Sequence, residues 1–190
     1  RVAQGMRVRF SDIGHLLGSA CIEFWLQEGG IEKKIVFSGD VGNIDQPILN
    51  DPLPVAETDY LVVESTYGNR LHDKPKDVRA ELTEVLQRAF DRGGSVIIPA
   101  FAVGRTQELL YLLREIKQKK LVHGHDGFPV YLDSPLAEEA TSVFLQCDTD
   151  CFDPEPQKVL KSGQNPIWCP GLQLALTAED SKAINSDSRP

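Results

Sequence analysis

An α/β fold is predicted from three observations. Short Val-, Ile- and Phe-rich runs fill the first 69 residues, strand–helix alternation follows, and apolar content at 41% with 25% charged residues sits near globular averages. At 190 residues the chain is long enough for a sizeable core. No apolar run approaches the ~20 residues that cross a bilayer, so no membrane partner is expected.

Strands are expected at Met6–Phe10, Ala20–Leu26, Lys34–Phe37 and Tyr60–Val63, separated by turn signals such as Glu28-Gly29-Gly30 and the proline-dense Gln46–Pro54. After Gly68 the period changes to 3.6. Val78, Leu82, Val85, Leu86 and Ala89 share one helical face, and Gly93-Gly94 ends that helix before an apolar strand at Ser95–Ile98. Gly104 opens a second helix carrying Leu109, Leu110, Leu112, Leu113 and Ile116. Val130–Leu132 is a strand, and Pro135 suits the first turn of a helix through about Phe144. Leu172–Thr177 forms a last strand before Ala178–Asn185. Such alternation indicates a parallel sheet flanked by helices, and the change of pattern puts the domain boundary between 1–69 and 70–190.

The net charge is −8, yet residues 70–120 carry 11 basic and 7 acidic groups. A basic middle between acidic ends permits a polyanion without demanding one, since a solvated helix face has the same composition. Four cysteines follow no disulfide-framework spacing, and the N-terminal residues lack a signal-peptide core. Reduced thiols and a cytoplasmic setting are expected.

Three positions place a metal-capable or proton-handling residue beside glycine at a strand end: His15, Asp40 and Glu64. Singly, each is an ordinary turn residue. Together, an imidazole and carboxylates at neighbouring strand ends have the ligand chemistry of hydrolytic zinc sites. His123 and His125 lie in a Gly-rich loop and form an ordinary polar turn.

Gly14-His-Leu-Leu-Gly-Ser-Ala20, Phe37-Ser-Gly-Asp-Val-Gly42, Val63-Glu-Ser-Thr-Tyr-Gly-Asn-Arg70, Ile98-Pro-Ala-Phe-Ala-Val-Gly-Arg-Thr-Gln-Glu-Leu109 and Val130-Tyr-Leu-Asp-Ser-Pro-Leu-Ala137 occur in this order. The chain thereby resembles the beta-CASP branch of the metallo-beta-lactamase superfamily, RNA-processing nucleases that include the endonuclease of the cleavage and polyadenylation specificity factor. The resemblance implies part of an αβ/βα metallo-beta-lactamase sandwich in residues 1–69 and most of a parallel-sheet beta-CASP domain in 70–190. It implies that His15 binds one zinc ion, that Asp40 bridges two, and that Glu64 orients a later histidine that protonates the leaving oxygen. RNA, single-stranded, is the implied substrate, with RNA against DNA and terminal against internal cutting left open, and a homodimer of the full-length protein is permitted.

Arg105 begins a helix just after a parallel strand, where an anion is favoured, although such helix starts are common and an ion pair with Glu108 explains Arg105 without a ligand. Ser134 sits at a strand rim, where an N-cap role is the alternative. Arg70 and His72 near the boundary are further candidates to line a substrate cleft. The family's His-x-His-x-Asp-His string and its two late histidine motifs do not occur in these residues. The chain is therefore expected to be the middle of a longer enzyme, inactive alone. The competing expectation is a non-catalytic beta-CASP scaffold that partners an active homologue. A small lactamase is disfavoured by the α/β insertion.

Overall fold

The computed structural model describes residues 2–71, 77–147 and 149–189. The fold is mixed α/β, with two sheets and five α-helices among the described residues. Two compact units divide the chain, Arg1–Asp73 with Asp150–Asp153, and Lys74–Thr149 with Pro154–Pro190.

The first unit is a four-stranded sheet in the order β1-β2-β3-β4: β1 Met6–Asp12, β2 Ala20–Glu28, β3 Ile31–Phe37 and β4 Tyr60–Val62. The β2–β3 hairpin closes through Gly29 and Gly30, both at positive φ (57° and 82°), the pair of conformations a two-residue type I′ turn needs. β4 joins β3 in parallel, with Ile35 opposite Tyr60 and Phe37 opposite Val62. Alternation along the strands sends Cys21 and Val36 to one face, where Ile13 and Val55 pack on them. The opposite face carries Phe24 edge-on to Phe37 at 5.8 Å.

A charged group is buried on the first of these faces. Arg9 is paired with Glu23 across β1–β2, and Trp25 with Lys34 across β2–β3. Glu23 is fully buried and accepts from Arg9 Nε (2.7 Å) and Ser11 Oγ (2.8 Å), while Lys34 Nζ lies 2.7 Å from its second oxygen. Burial raises the pKa of this carboxyl, but the hydrogen bonds from Lys34, Ser11 and Arg9 outweigh it and bring the value down to about 2.

Asp150–Asp153 belongs to this unit through backbone pairing. Leu49 bridges Phe152, and the Asp153 amide donates to the Ile48 carbonyl at 2.8 Å. Ile48 and Phe152 are both buried.

The second unit contains α1 Val78–Phe90, α2 Arg105–Gln118, β5 Val130–Leu132, α3 Pro135–Gln146, α4 Pro154–Lys161, β6 Leu172–Leu174 and α5 Ala178–Ile184. β5 and β6 pair in parallel, so the expected strand type holds in a two-stranded sheet. Asp77 caps α1 by accepting from the Ala80 amide at 3.0 Å, and Gly93 at φ +70° follows its C-terminal end. Leu86, Phe90, Leu110, Leu113, Ile116 and Phe128 are buried, with the Phe90 and Phe128 rings 5.0 Å apart.

Two sequence expectations change. Ser95–Ile98 is not a strand: no described residue pairs with it and Ile97 is 92% exposed. Apolar β-branched composition supplies propensity, but a strand exists only with a partner ladder. The last strand is three residues rather than six, because Thr177 turns to cap α5 by accepting from the Asp180 amide at 3.1 Å.

Candidate active site at a strand rim

Three local structures bring His15, Asp40 and Glu64 to one rim of the first unit. The His15 loop begins where β1 ends. Asp12 accepts from the Gly14 amide (2.9 Å), and Ser19 Oγ accepts from the amides of His15 (3.2 Å) and Leu16 (3.0 Å). These bonds close a tight turn whose left-handed positions, φ +64° and +83°, are Gly14 and Gly18.

Asp40 follows β3 after Ser38 and Gly39. Its loop is tied to the first by the Gly42 amide, which donates to the Ile13 carbonyl at 2.9 Å. His15 Nε2 then lies 3.9 Å from Asp40 Oδ2, with side chains 42% and 73% exposed, so both reach solvent.

Glu64 follows β4. Its carboxylate accepts from the Val41 amide, and its own amide donates to Ser38 Oγ at 3.0 Å. The Val41 N–H, then Thr66, hold the Glu64 carboxyl below the usual carboxylate range, with His15 adding a smaller favourable field. Parallel pairing of β3 with β4 is what puts residues 40 and 64 side by side.

As a donor set, one imidazole nitrogen and one carboxylate oxygen fit two positions of a hydrolytic zinc ion by chemistry. No group of three or more His, Cys, Asp or Glu able to hold a metal occurs among the described residues.

Of the remaining candidates, Arg105 and Ser134 belong to the second unit and Arg70 to the first. Arg105 opens α2 and is 61% exposed, donating to Glu108 Oε2 at 2.7 Å. Burial pushes the Glu108 carboxyl up, and Arg105 opposes that shift. Ser134 caps α3, accepting from the Ala137 amide at 3.2 Å, and its neighbour Asp133 accepts from Ser181 Oγ at 2.9 Å. Arg70 stacks its guanidinium 4.1 Å from the Tyr67 ring centroid. His72 lies outside the described residues. His125 pairs with Asp91 at 3.1 Å, and the His123 backbone exchanges hydrogen bonds with Gln87, which is turn chemistry.

Sequence reasoning assigned no role to Ser38 or Gln107. Gln107 is fully buried at the start of α2: it accepts from the Gly104 amide (2.7 Å) and donates to the Ala102 carbonyl (3.1 Å) and Thr141 Oγ1 (2.9 Å). It fixes the loop that presents Arg105. A polar residue among leucines on a core-facing helix was the available signal.

Residues 106–190 match the Beta-Casp domain. Over 187 residues the chain is 35% identical to Ribonuclease TTHA0252 of Thermus thermophilus, covering 97% of this chain and 41% of that protein. It is 33% identical to an RNase J-like protein of Methanocaldococcus jannaschii (88% of this chain, 38% of that protein). It is 35% identical to Cleavage and polyadenylation specificity factor 73 of Drosophila melanogaster (76% and 20%). Residues 106–190 are thus a Beta-Casp domain, and the chain, similar along most of its length to these relatives, spans less than half the length of each of them.

Proposed function

We propose that this chain is part of a zinc-dependent ribonuclease that hydrolyses RNA phosphodiester bonds. In this reading residues 1–69 are the C-terminal part of a metallo-beta-lactamase domain and 70–190 most of a beta-CASP domain. Ribonuclease and specificity-factor names among the relatives support RNA as the substrate class. The observation that carries the reading is the 3.9 Å approach of His15 Nε2 to Asp40 Oδ2 on an open rim, with Glu64 braced beside them.

His15 and Asp40 would hold zinc, Asp40 as the residue shared between two ions, with further ligands from outside this set. Bound zinc supplies charge stabilisation at a phosphoryl oxygen and lowers the pKa of an attacking water. Glu64, ionised and hydrogen-bonded, serves to orient an imidazole that donates a proton to the leaving oxygen. Arg105, Ser134, Arg70 and His72 are assigned to single-stranded RNA, the two arginines through phosphate charge. The proposal includes a cytoplasmic setting and a homodimer of the full-length protein.

The test is a nuclease assay on zinc-loaded full-length protein, wild type beside Asp40→Ala, with single-stranded RNA labelled at either end. Cutting lost in Asp40→Ala supports the reading, and the label pattern separates internal from terminal cleavage. Pure wild type that binds RNA without cutting it would favour a scaffold role.

A further inference from the structure

The rim contains further hydrogen bonds, centred on Ser38, to which none of the candidate roles above is assigned. Ser38 is buried at the end of β3, its hydroxyl donating to the Gly39 carbonyl at 2.6 Å while accepting from the Glu64 amide at 3.0 Å. The Ser38 amide donates in turn to the Val62 carbonyl at 2.9 Å. From the other side, the Glu64 carboxylate accepts from the Val41 amide. Ser38 and Val41 flank Asp40 at two residues before and one after, so both ends of the Asp40 turn are fastened to residue 64.

We infer that Ser38 and Glu64 are positioning residues for Asp40, forming a brace across the ends of β3 and β4 that fixes where the Asp40 carboxylate stands relative to His15. Asp40 needs such help. Its side chain is 73% exposed, so packing does not hold it, and its backbone follows Gly39 at φ +63°. Two charged side chains on separate loops keep a 3.9 Å separation only if the loops themselves are fixed. Glu64 thereby has a second role in the same site: besides presenting its carboxylate to an imidazole, it holds the loop of the neighbouring metal candidate through a main-chain amide. This inference rests on the metal-site reading proposed above.

The two roles separate by chemistry. Glu64→Gln keeps an acceptor oxygen for the Val41 amide but loses the negative charge. Glu64→Ala loses both. Ser38→Ala removes the hydroxyl bridge, and Ser38→Thr restores it. Two measurements on the full-length protein decide the matter: zinc affinity by chelator competition, and hydrogen exchange of the Val41 amide in the metal-free protein. Glu64→Ala is expected to speed Val41 exchange and weaken zinc binding about 10-fold or more, the usual scale for losing a group that supports a ligand. Ser38→Ala is expected to weaken zinc binding similarly, with recovery in Ser38→Thr. Glu64→Gln is expected to keep Val41 protection and zinc affinity while lowering kcat with KM little changed.

Unchanged Val41 exchange in Glu64→Ala overturns the brace. Zinc lost in Asp40→Ala but retained in both Ser38→Ala and Glu64→Ala overturns the brace alone. Zinc bound by Asp40→Ala as tightly as by wild type overturns the metal reading and the inference with it.

Discussion

Gly42 stands so close to Gly14 that a Cβ at position 42 would lie 2.1 Å from the Gly14 carbonyl oxygen and 2.6 Å from the His15 amide nitrogen. The loops bearing the two metal candidates therefore touch through their backbones at a point where only glycine fits. Gly42→Ala must push them apart, because the obstructing atoms are main chain and cannot rotate away. The expected cost is about 1–3 kcal/mol of stability, together with weaker zinc binding. Gly18→Ala is the control, since at φ +83° it adds backbone strain but meets nothing within 4 Å. Urea unfolding and chelator competition on both variants check this: an equal zinc affinity in the two would remove the loop–loop contact as the cause.

Glu23 makes the first unit acid-sensitive. Its folded pKa of about 2 lies below the ordinary 4.5, so the unfolded chain binds the proton more tightly. The stabilisation is complete above pH about 5 and is lost progressively as pH falls toward 2. Glu23→Gln leaves Lys34, itself largely buried, without its counter-charge, and breaking one side of a buried pair costs about 3–5 kcal/mol. Unfolding followed from pH 7 to 2 should show a steeper acid loss in wild type than in Glu23→Gln.

Gln107 links the loop before α2, the first turn of α2 and α3 through one buried amide group. Gln107→Leu conserves most of the volume but strands the Gly104 amide and the Ala102 carbonyl. At about 1–3 kcal/mol for each buried group left unsatisfied, the second unit should lose several degrees of Tm. A Tm equal to wild type would mean that water or a loop shift replaces those bonds.

The strands of the first unit were legible because turn residues and apolar alternation bound each of them. The helices of the second unit were legible because Leu110, Leu113 and Ile116 recur at helical spacing. Ser95–Ile98 misled for the converse reason, since composition reports propensity and not the presence of a partner strand. At the candidate site, His15 and Asp40 stood out in the sequence through their glycine neighbours and the motifs around them, and the structure brings them within 3.9 Å of each other. The supporting residues did not stand out. Ser38 accepts from the amide of residue 64, 26 positions away, and Gln107 donates to Thr141, 34 positions away, and one sequence holds no record of which distant groups meet.

Arg105 is the remaining test of the substrate assignment. Its guanidinium donates to Glu108 at 2.7 Å and is itself 61% exposed, so a phosphate can reach it from solvent. Glu108 in turn occupies a partly desolvated position that raises its pKa, so its charge is held there chiefly by Arg105. Arg105→Ala should weaken single-stranded RNA binding uniformly across sequences and lower the slope of log affinity against log salt by about 0.7, the value for one phosphate contact on a single strand. Glu108→Gln should act oppositely, freeing the guanidinium and tightening RNA binding without altering the slope's sign. Fluorescence anisotropy over a salt series measures both. If Arg105→Ala leaves the salt slope unchanged while Glu108→Gln lowers only thermal stability, the pair is a helix-start brace and Arg105 has no phosphate to hold.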